Sequence, residues 1–199
     1  MIDHRLDQQM QFMREMDKVK QIIRRTLLMD GSRYENDAEH SWHMAVMGAW
    51  LTEYAEGAVD TLKAVKMCLI HDVVEIDAGD TYAYDPAAQA GKVERERQAA
   101  ERIFGLLPPD QAAETRALWE EFEARVTSEA KFAASLDRVQ GVLNNYHSQG
   151  ASWKSHGVKL SQVMQRIEPV REGTPRLWEY LCARVEESVR KGWILNDTP

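Results

Sequence analysis

The sequence predicts an all-α protein in which a single domain folds as a helical bundle. Apolar residues recur at steps of three and four along most of the 199 residues, which is the spacing of one helix face. No segment alternates Val, Ile or Thr with polar residues between hairpin turns, so we expect no sheet. A chain of this length suits one domain. We expect it to span 1–199, with a core at about 15–145 and a C-terminal helical extension at about 150–195.

The helix boundaries follow from residues that start or stop helices. Gly31 ends the first periodic segment, and Asn36 or Asp37 can cap the second, because a short polar side chain accepts hydrogen bonds from free first-turn amides. The stretch 79–91 contains two glycines and a proline, which indicates a longer loop. We predict helices, in chain order, over 5–29, from Asn36 or Asp37 through Leu51, and over Thr61–Ile76, Lys92–Phe104, a segment starting at Pro108, Ser128–His147, Lys159–Ile167 and Pro175–Lys191.

The composition excludes several classes of function. Twenty-five Lys and Arg against 32 Asp and Glu leave a formal charge of −7, which argues against a nucleic-acid polymer as partner, because phosphate backbones need a positive surface. No apolar run approaches the ~18 residues that span a bilayer, so we expect no membrane partner. Cys68 and Cys182 lie in apolar helical patterns and are expected to be free thiols, and the charged N-terminus lacks the apolar core of a signal peptide. We therefore expect a cytoplasmic protein.

The polar pair His71-Asp72 follows three apolar residues on a helix that is apolar around much of its circumference. Burying an imidazole and a carboxyl group without partners costs several kcal/mol, and a bound divalent cation removes this cost. Two adjacent residues cannot complete a site, but His40 and Asp137 lie on two other predicted helices. These four residues offer two nitrogens and two carboxylates. Such a set suits one divalent metal ion and does not by itself select among Mn, Co, Zn, Fe, Ni or Mg.

Two longer runs around these residues carry a resemblance to a known family. Residues 33–42, Arg-Tyr-Glu-Asn-Asp-Ala-Glu-His-Ser-Trp, and residues 71–80, His-Asp-Val-Val-Glu-Ile-Asp-Ala-Gly-Asp, resemble the HD-domain metal-dependent phosphohydrolase superfamily. They are most similar to its branch of 5′-deoxynucleotidases and HD-domain-containing protein 2. The resemblance covers about 15–145, and the C-terminal residues look like a bacterial subgroup of the same branch. It implies an HD-type helical bundle and a metal held by His40, His71, Asp72 and Asp137.

The resemblance also implies a catalytic role for two acidic side chains. Glu75 matches a catalytic position of the family, and its spacing agrees, because it follows His71 by four residues and Asp72 by three and so shares their helix face. A carboxylate there can orient a water molecule or transfer a proton. Asp80 matches a second acidic position. The alternatives are an outward-facing salt bridge for Glu75 and an ordinary loop residue for Asp80.

Further charged residues are candidates around the metal. Arg25 corresponds in the resemblance to an arginine that binds substrate phosphate, a role suited to its paired donors; the alternative is a solvated helix charge. Thr26 departs from the family pattern, which has tryptophan near the sugar, so the choice between deoxyribose and ribose stays open. Lys92 forms either an ion pair with the glutamate four residues later or a contact to substrate. Glu39 is expected to support the histidine ligand that follows it or to pair with Arg33.

The resemblance implies a phosphomonoesterase that removes the 5′-phosphate from nucleoside or deoxynucleoside monophosphates through a metal-activated water. One alternative is hydrolysis of a larger nucleotide, such as a triphosphate or an alarmone. Another is a module that binds metal and nucleotide without catalysis. The branch commonly forms homodimers, and an apolar C-terminal helix face with Trp178 and Trp193 could provide the interface, so we expect a homodimer.

Overall fold

A computed structural model describes residues 3–80 and 91–197. Most of these residues are helical, which confirms the all-α class. The α-helices, in chain order, are α1 (His4–Met16), α2 (Asp37–Trp50), α3 (Thr61–Ile70), α4 (Glu75–Ala78), α5 (Lys92–Phe104), α6 (Pro109–Ala124), α7 (Ser128–His147), α8 (Ala151–Ser155), α9 (Leu160–Ile167), α10 (Val170–Gly173) and α11 (Pro175–Arg190). Two 3₁₀ helices cover Asp17–Gln21 and Thr52–Tyr54, and two short strands are β1 (Ile23–Leu27) and β2 (Tyr34–Asn36).

Helix α7, which the sequence predicts with the observed bounds, lies at the centre of the fold. It contacts α2, α3, α6, α9, α10 and α11. Phe132 and Leu136 on α7 are fully buried with Met44 of α2 and Leu181 of α11. Burying one such side chain contributes about 1.5–3 kcal/mol, so this shared core holds α7, and with it Asp137, in a fixed position.

A second apolar cluster joins the N-terminal helix to the segment that carries the His-Asp pair. Its buried members are on α1, the turn after α3, α5 and α6, and include Phe12, Val73, Ile103 and Trp119. The indole Nε1 of Trp119 donates a hydrogen bond to the backbone oxygen of His71 at 3.2 Å. The cluster therefore fixes the backbone on which this histidine stands.

The predicted helix over 5–29 is wrong beyond Met16. After a 3₁₀ turn the chain enters β1, which pairs antiparallel with β2 in a two-stranded sheet that the sequence did not lead us to expect. The β-branched residues Ile23 and Thr26 disfavour a helix, because their side chains have restricted rotamers there. Gly31 adopts φ +72° in the connecting turn, a conformation that glycine enters at little cost. The hairpin carries Arg24 and Arg25 to the site.

The predicted continuous helix over Thr61–Ile76 is also interrupted. Helix α3 ends at Ile70, and α4 begins at Glu75. Between them the backbone forms tighter three-residue turns, with Val73 N donating to the Ile70 oxygen at 3.2 Å and Glu75 N to the Asp72 oxygen at 2.9 Å. The tighter winding still leaves Glu75 close to Asp72.

The C-terminal extension packs on α7. Helices α9 and α11 match the predicted helices to within one residue at each end. Between Gly150 and Gly157 the chain forms the short helix α8. Trp153 of α8 is 1% exposed and belongs to the main apolar core. The extension therefore contributes to the same core as α7.

Three expectations concern the rest of the chain. The middle of the predicted loop at 79–91, including Pro86, lies outside the described residues. Cys68 is buried and Cys182 half-buried, and both are free thiols. Over 3–80 and 91–197, none of the helices combines the length and the hydrophobicity that crossing a bilayer requires.

Candidate active site

The four predicted metal ligands converge from three elements. His40 lies on α2, His71 and Asp72 directly follow α3, and Asp137 lies on α7. Asp72 Oδ2 lies 3.1 Å from His71 Nε2 and 3.8 Å from His40 Nε2, and Asp137 Oδ1 lies 3.3 Å from His40 Nε2. One ligand atom each from His40, His71 and Asp72 fit within 4.8 Å of one another. Two imidazoles and two carboxylates therefore face one small volume.

The other nitrogen of each imidazole ring is fixed by an acceptor. His71 Nδ1 donates to the backbone oxygen of Cys68 at 2.9 Å, and His40 Nδ1 donates to Gln140 Oε1 at 3.0 Å. Both Nε2 atoms are buried and have no hydrogen-bond partner within the described part of the chain. Burying a ring nitrogen without a hydrogen-bond partner costs free energy. A cation bound by both Nε2 atoms would remove this cost. These residues therefore fit one divalent metal ion.

The residues that support His40 were missed in the sequence. Gln140 is buried on α7, and its Nε2 donates to Glu35 Oε1 at 2.5 Å, so a chain of hydrogen bonds runs from the histidine to the strand β2. Gln140 follows Asp137 by three residues, and this spacing on one helix face could have marked it. Nothing in the sequence distinguishes Glu35 from the other acidic residues near the start of α2.

Of the two expectations for Glu39, the structure shows the pairing with Arg33. The guanidinium of Arg33 donates to both carboxylate oxygens of Glu39, at 2.9 and 2.5 Å, on the surface. Glu39 also accepts from the backbone amide of Asn36, which caps α2. This pair fixes the start of the helix. The contacts to His40 that we expected from Glu39 come from Gln140 and Glu35 instead.

A second group of carboxylates adjoins the candidate metal ligands. Asp37, Asp72 and Glu75 bring one oxygen each within 4.8 Å of one another, and Asp37 is fully buried. Arg24 Nη1 donates to Asp37 Oδ1 at 2.8 Å and to Asp72 Oδ2 at 2.6 Å, so its guanidinium is their counter-charge. The sequence analysis considered Asp37 only as a helix cap. Its position three residues before His40, on the same helix face, is the signal that could have identified it.

Burial and neighbouring charges shift the pKa values of Glu75 and Asp72 in opposite directions. Burial raises the pKa of Glu75 well above its ordinary value, and the charges of Asp72 and Asp37 act in the same direction. Burial also acts to raise the pKa of Asp72, but His71 and Arg24 outweigh it and hold that pKa below its usual range. Asp72 is therefore suited to bind a cation in its ionised form, and Glu75 to carry a proton.

His40 and Asp137 each shift the pKa of the other. Burial and the charge of Arg24 act to lower the pKa of His40, but Asp137 and Glu35 outweigh them and raise it to about 9. Burial acts to raise the pKa of Asp137, but Arg166 and His40 hold it well below its usual range. Because Nδ1 of His40 is already a donor, Nε2 is the position where a cation replaces a proton.

The cluster opens into a cavity of about 410 Å³. Glu75, Asp80, Arg25 and Lys92, the four predicted catalytic and substrate-binding residues, all line it. Lys92 Nζ also lies 3.2 Å from Glu96 Oε1, so the expected ion pair and a position next to the cavity occur together. Arg25 lies on β1 and not on a helix, and its backbone oxygen accepts a hydrogen bond from Ser152 Oγ at 2.8 Å.

The C-terminal half of the chain also lines the cavity. Gly141 and Asn145 on α7, Ser152 on α8 and Arg166 on α9 line it, and the sequence analysis had assigned none of them to the site. Arg166 Nη2 donates to Asp137 Oδ2 at 3.0 Å, so the extension directly contacts a candidate metal ligand. Residues this far apart in the sequence share no motif, and only the packing of α8 and α9 on α7 brings them together.

Comparison with known proteins agrees with this geometry. The family model described as HD domain matches residues 16–178. The chain is 33% identical over 135 residues to the Xenopus laevis protein named 5′-deoxynucleotidase HDDC2, and 31% identical to its human counterpart; each match covers 67% of this chain. It covers just under two thirds of these relatives' own length, 66% and 65%.

Two solved structures share the fold. A predicted metal-dependent phosphohydrolase from Magnetospirillum magnetotacticum is 52% identical, with a TM-score of 0.92 over 97% of this chain and 100% of that one. A conserved hypothetical protein from Pyrococcus furiosus is 24% identical, with a TM-score of 0.65 over 91% of this chain and 99% of that one, and shows the fold alone. The family model spans both the His-Asp pair and the two other ligand helices. The chain therefore belongs to the HD domain family.

Proposed function

We propose that this protein is a metal-dependent phosphohydrolase that removes the 5′-phosphate from nucleoside or deoxynucleoside monophosphates. The observation that carries the proposal is the pair of buried, unpartnered Nε2 atoms of His40 and His71, which face two carboxylates at the end of a cavity. The name of the Magnetospirillum relative supports the reaction class, and the names of the HDDC2 relatives support the substrate class.

At the reacting centre, the four ligands would bind the metal and Glu75 would transfer a proton. His40, His71, Asp72 and Asp137 would hold a divalent cation, which would supply Lewis acidity toward a phosphate oxygen and a water molecule. Glu75 lies next to Asp72 with a raised pKa, so it can hold the proton that the attacking water loses and deliver it to the leaving oxygen. The donor set leaves Mn, Co, Zn, Fe, Ni and Mg open, since imidazole and carboxylate bind all of them.

Charged residues around the cavity would orient the substrate. Arg25 lies at its mouth with a guanidinium suited to bidentate contacts with phosphate oxygens. Lys92, on the first turn of α5, adds a second cation on the same cavity, and Asp80 adds a second carboxyl group whose pKa is raised by burial. These roles follow the resemblance and agree with the positions of the side chains.

A larger nucleotide is the second candidate substrate. Arg125 and Arg166 also line the cavity, so it offers cationic side chains beyond Arg25 and Lys92 that could accept further phosphate groups. A module that senses nucleotide without catalysis is disfavoured, because Glu75 lies where a proton carrier is needed.

A phosphate-release panel tests these alternatives. The protein would be loaded in turn with each of the six metals and offered ribo- and deoxynucleoside monophosphates, triphosphates and an alarmone. We expect release from monophosphates with at least one metal. Release from triphosphates or the alarmone alone would favour the larger substrate, and tight nucleotide binding without any release would favour the sensor.

We also propose that the protein forms a homodimer, through α2 and not through the C-terminal tryptophans. Trp178 packs against the core, and Trp193 lies against Tyr146 with ring centroids 5.9 Å apart, so neither supplies the open apolar face that we expected. Trp42 and Trp50 on α2 are 65% and 74% exposed and, being eight residues apart, share one face. Sedimentation of Trp42→Ser/Trp50→Ser against the unchanged protein tests this: a dimer that persists in the variant excludes α2 as the interface.

Two broader expectations remain proposals. We propose that residues 1–199 form one HD domain, which the contact between Arg166 of the extension and Asp137 of the core supports. We propose a cytoplasmic location, which the two free thiols, Cys68 and Cys182, support.

A further inference from the structure

Three residues on one face of α7 line the cavity at regular spacing. Asp137, Gly141 and Asn145 are four residues apart, so they follow one another along the same side of the helix. With a rise of about 1.5 Å per residue, Gly141 lies about 6 Å and Asn145 about 12 Å along the axis from the candidate metal ligand. A nucleotide extends over a comparable distance from its phosphorus atom to the far edge of its base.

Gly141 has no structural reason to be glycine. It lies in the middle of a 20-residue helix, where glycine is less favourable than alanine, and its φ is not positive. Apart from its two chain neighbours and the nearby backbone of its own helix, a Cβ atom placed on it would meet no heavy atom of the described residues within 4 Å. A Cβ on Gly173, by contrast, would overlap Ser135 and the backbone of Lys131. What Gly141 provides is open space in the cavity, one helical turn from Asp137.

Asn145 adds a polar group that lacks a partner. The residue is only 7% exposed, and its Nδ2 donates to the backbone oxygen of Gly141 at 2.9 Å. Because a carbonyl oxygen only accepts, this bond fixes the orientation of the amide. The Oδ1 atom is buried and accepts no hydrogen bond from any residue in 3–80 or 91–197. Buried acceptors without a donor are rare in native proteins, and a ligand is one way to complete them.

We propose that Gly141 and Asn145 form the nucleoside subsite: the sugar lies over Gly141, and Asn145 Oδ1 accepts a hydrogen bond from an N–H or O–H of the nucleoside. The inference deepens the proposed function and rests on it. A helical side chain leans toward the N-terminus of its helix, which carries the Asn145 amide back toward Gly141 and Asp137. The phosphate end of the substrate then reaches the ligands while the nucleoside lies along α7.

The first test fills the space at Gly141. In the metal-loaded protein, Gly141→Leu should raise KM for the preferred nucleoside monophosphate at least about 10-fold, and Gly141→Ala should raise it less. Metal content and the inhibition constant of inorganic phosphate should stay as in the unchanged protein. The melting temperature should not fall, because Ala and Leu both favour a helix more than glycine does. His147→Leu, on the same helix and outside the cavity, is the matched control and should leave KM unchanged.

The outcomes separate this inference from the proposed function. If the unchanged protein releases phosphate from no nucleoside monophosphate, the proposed function fails and the nucleoside subsite fails with it. If it does release phosphate and Gly141→Leu keeps the same KM, only the subsite is wrong. Equal weakening of inorganic phosphate and nucleotide would also overturn the subsite, since it would place Gly141 at the phosphate end.

The second test identifies the donor. Asn145→Ala should raise KM about 5-fold for a nucleotide that carries the donor, as expected for one lost hydrogen bond. Analogues without the sugar hydroxyls, and purine analogues without the exocyclic amino group, each remove one possible donor. For the analogue that lacks the true donor, Asn145→Ala and the unchanged protein should give the same KM. An Asn145→Ala effect of equal size on every analogue, or no effect on any, would overturn the hydrogen bond.

Discussion

The cavity has a metal end, at His40, His71, Asp72 and Asp137, and a proposed nucleoside end, at Gly141 and Asn145. The two ends are built in different ways. At the metal end, His40 and His71 are buried, and each has its second nitrogen held by a hydrogen bond. At the nucleoside end, Gly141 leaves open space, and the buried Asn145 Oδ1 accepts no hydrogen bond from the described residues.

The difference reflects what each end has to do. A cation needs its ligand atoms held within tenths of an ångström. At the metal end, burial and hydrogen bonds hold the ligand side chains in place. A nucleoside needs a fitting volume and few directional contacts, which glycine and an amide can supply. Substitutions at the metal end should therefore abolish function, and those toward the nucleoside end should tune affinity.

The largest effect is expected from His71→Ala. The variant removes one of two imidazole ligands and leaves Asp72 facing an incomplete set, so it should lose stoichiometric metal and with it phosphate release. Elemental analysis of the purified protein measures the metal directly. His147→Ala, an exposed histidine on α7, is the control. Unchanged metal content in His71→Ala would remove this residue from the site.

Glu75→Gln should separate catalysis from metal binding. The amide keeps the size of the side chain but cannot hold the transferred proton, so turnover should fall about 10²–10⁴-fold while the metal stays bound. Turnover and metal content would be measured on the same preparation, beside Glu179→Gln on the exposed side of α11. Turnover equal to that of the unchanged protein would exclude Glu75 from the mechanism.

Gln140→Leu tests how much the rigidity of the metal end matters. It removes the acceptor for His40 Nδ1 and the donor to Glu35, so the imidazole loses its fixed orientation. We expect metal affinity to fall about 10–100-fold, the usual cost of losing such a supporting contact. Titration with metal followed by calorimetry gives the affinity. Equal affinities would mean that the ring is held by packing alone.

Arg25→Ala should have the smallest effect of the four. Arg25 is exposed at the cavity mouth, so losing its charge-assisted contact should raise KM for a monophosphate by roughly 10-fold, with kcat little changed. Steady-state kinetics against Arg171→Ala, an exposed arginine on α10, measures the effect. A KM that does not move would show that another cation, such as Lys92, binds the phosphate.

The errors in the sequence analysis have a common origin. A helix was predicted through Arg24 and Arg25 because apolar residues continued at helical steps, yet pairing with β2 prevailed over that local pattern. Nothing in the sequence singles out Arg24 beside Arg25, but its guanidinium reaches Asp37 and Asp72. The spacing of apolar residues indicates which side chains are buried. It does not indicate which distant segment of the chain packs against them.

The sequence by itself determined the helical class, the central helix α7 and the identity of the four residues that meet at the candidate metal centre. The helices follow from local spacing and capping residues, which act within a few residues. The four candidate ligands follow from the cost of burying His71 and Asp72 together with the resemblance to a known family. Only the tertiary structure decided that Gln140 and Glu35 support His40, and that α8 and α9 line the same cavity as Gly141. Those contacts join segments up to 127 residues apart, as between Arg25 and Ser152, and depend on the packing of whole helices. The metal end could be predicted because most of its residues lie in short sequence motifs. The nucleoside end could not be predicted, since its residues share no motif and come together only when the chain folds.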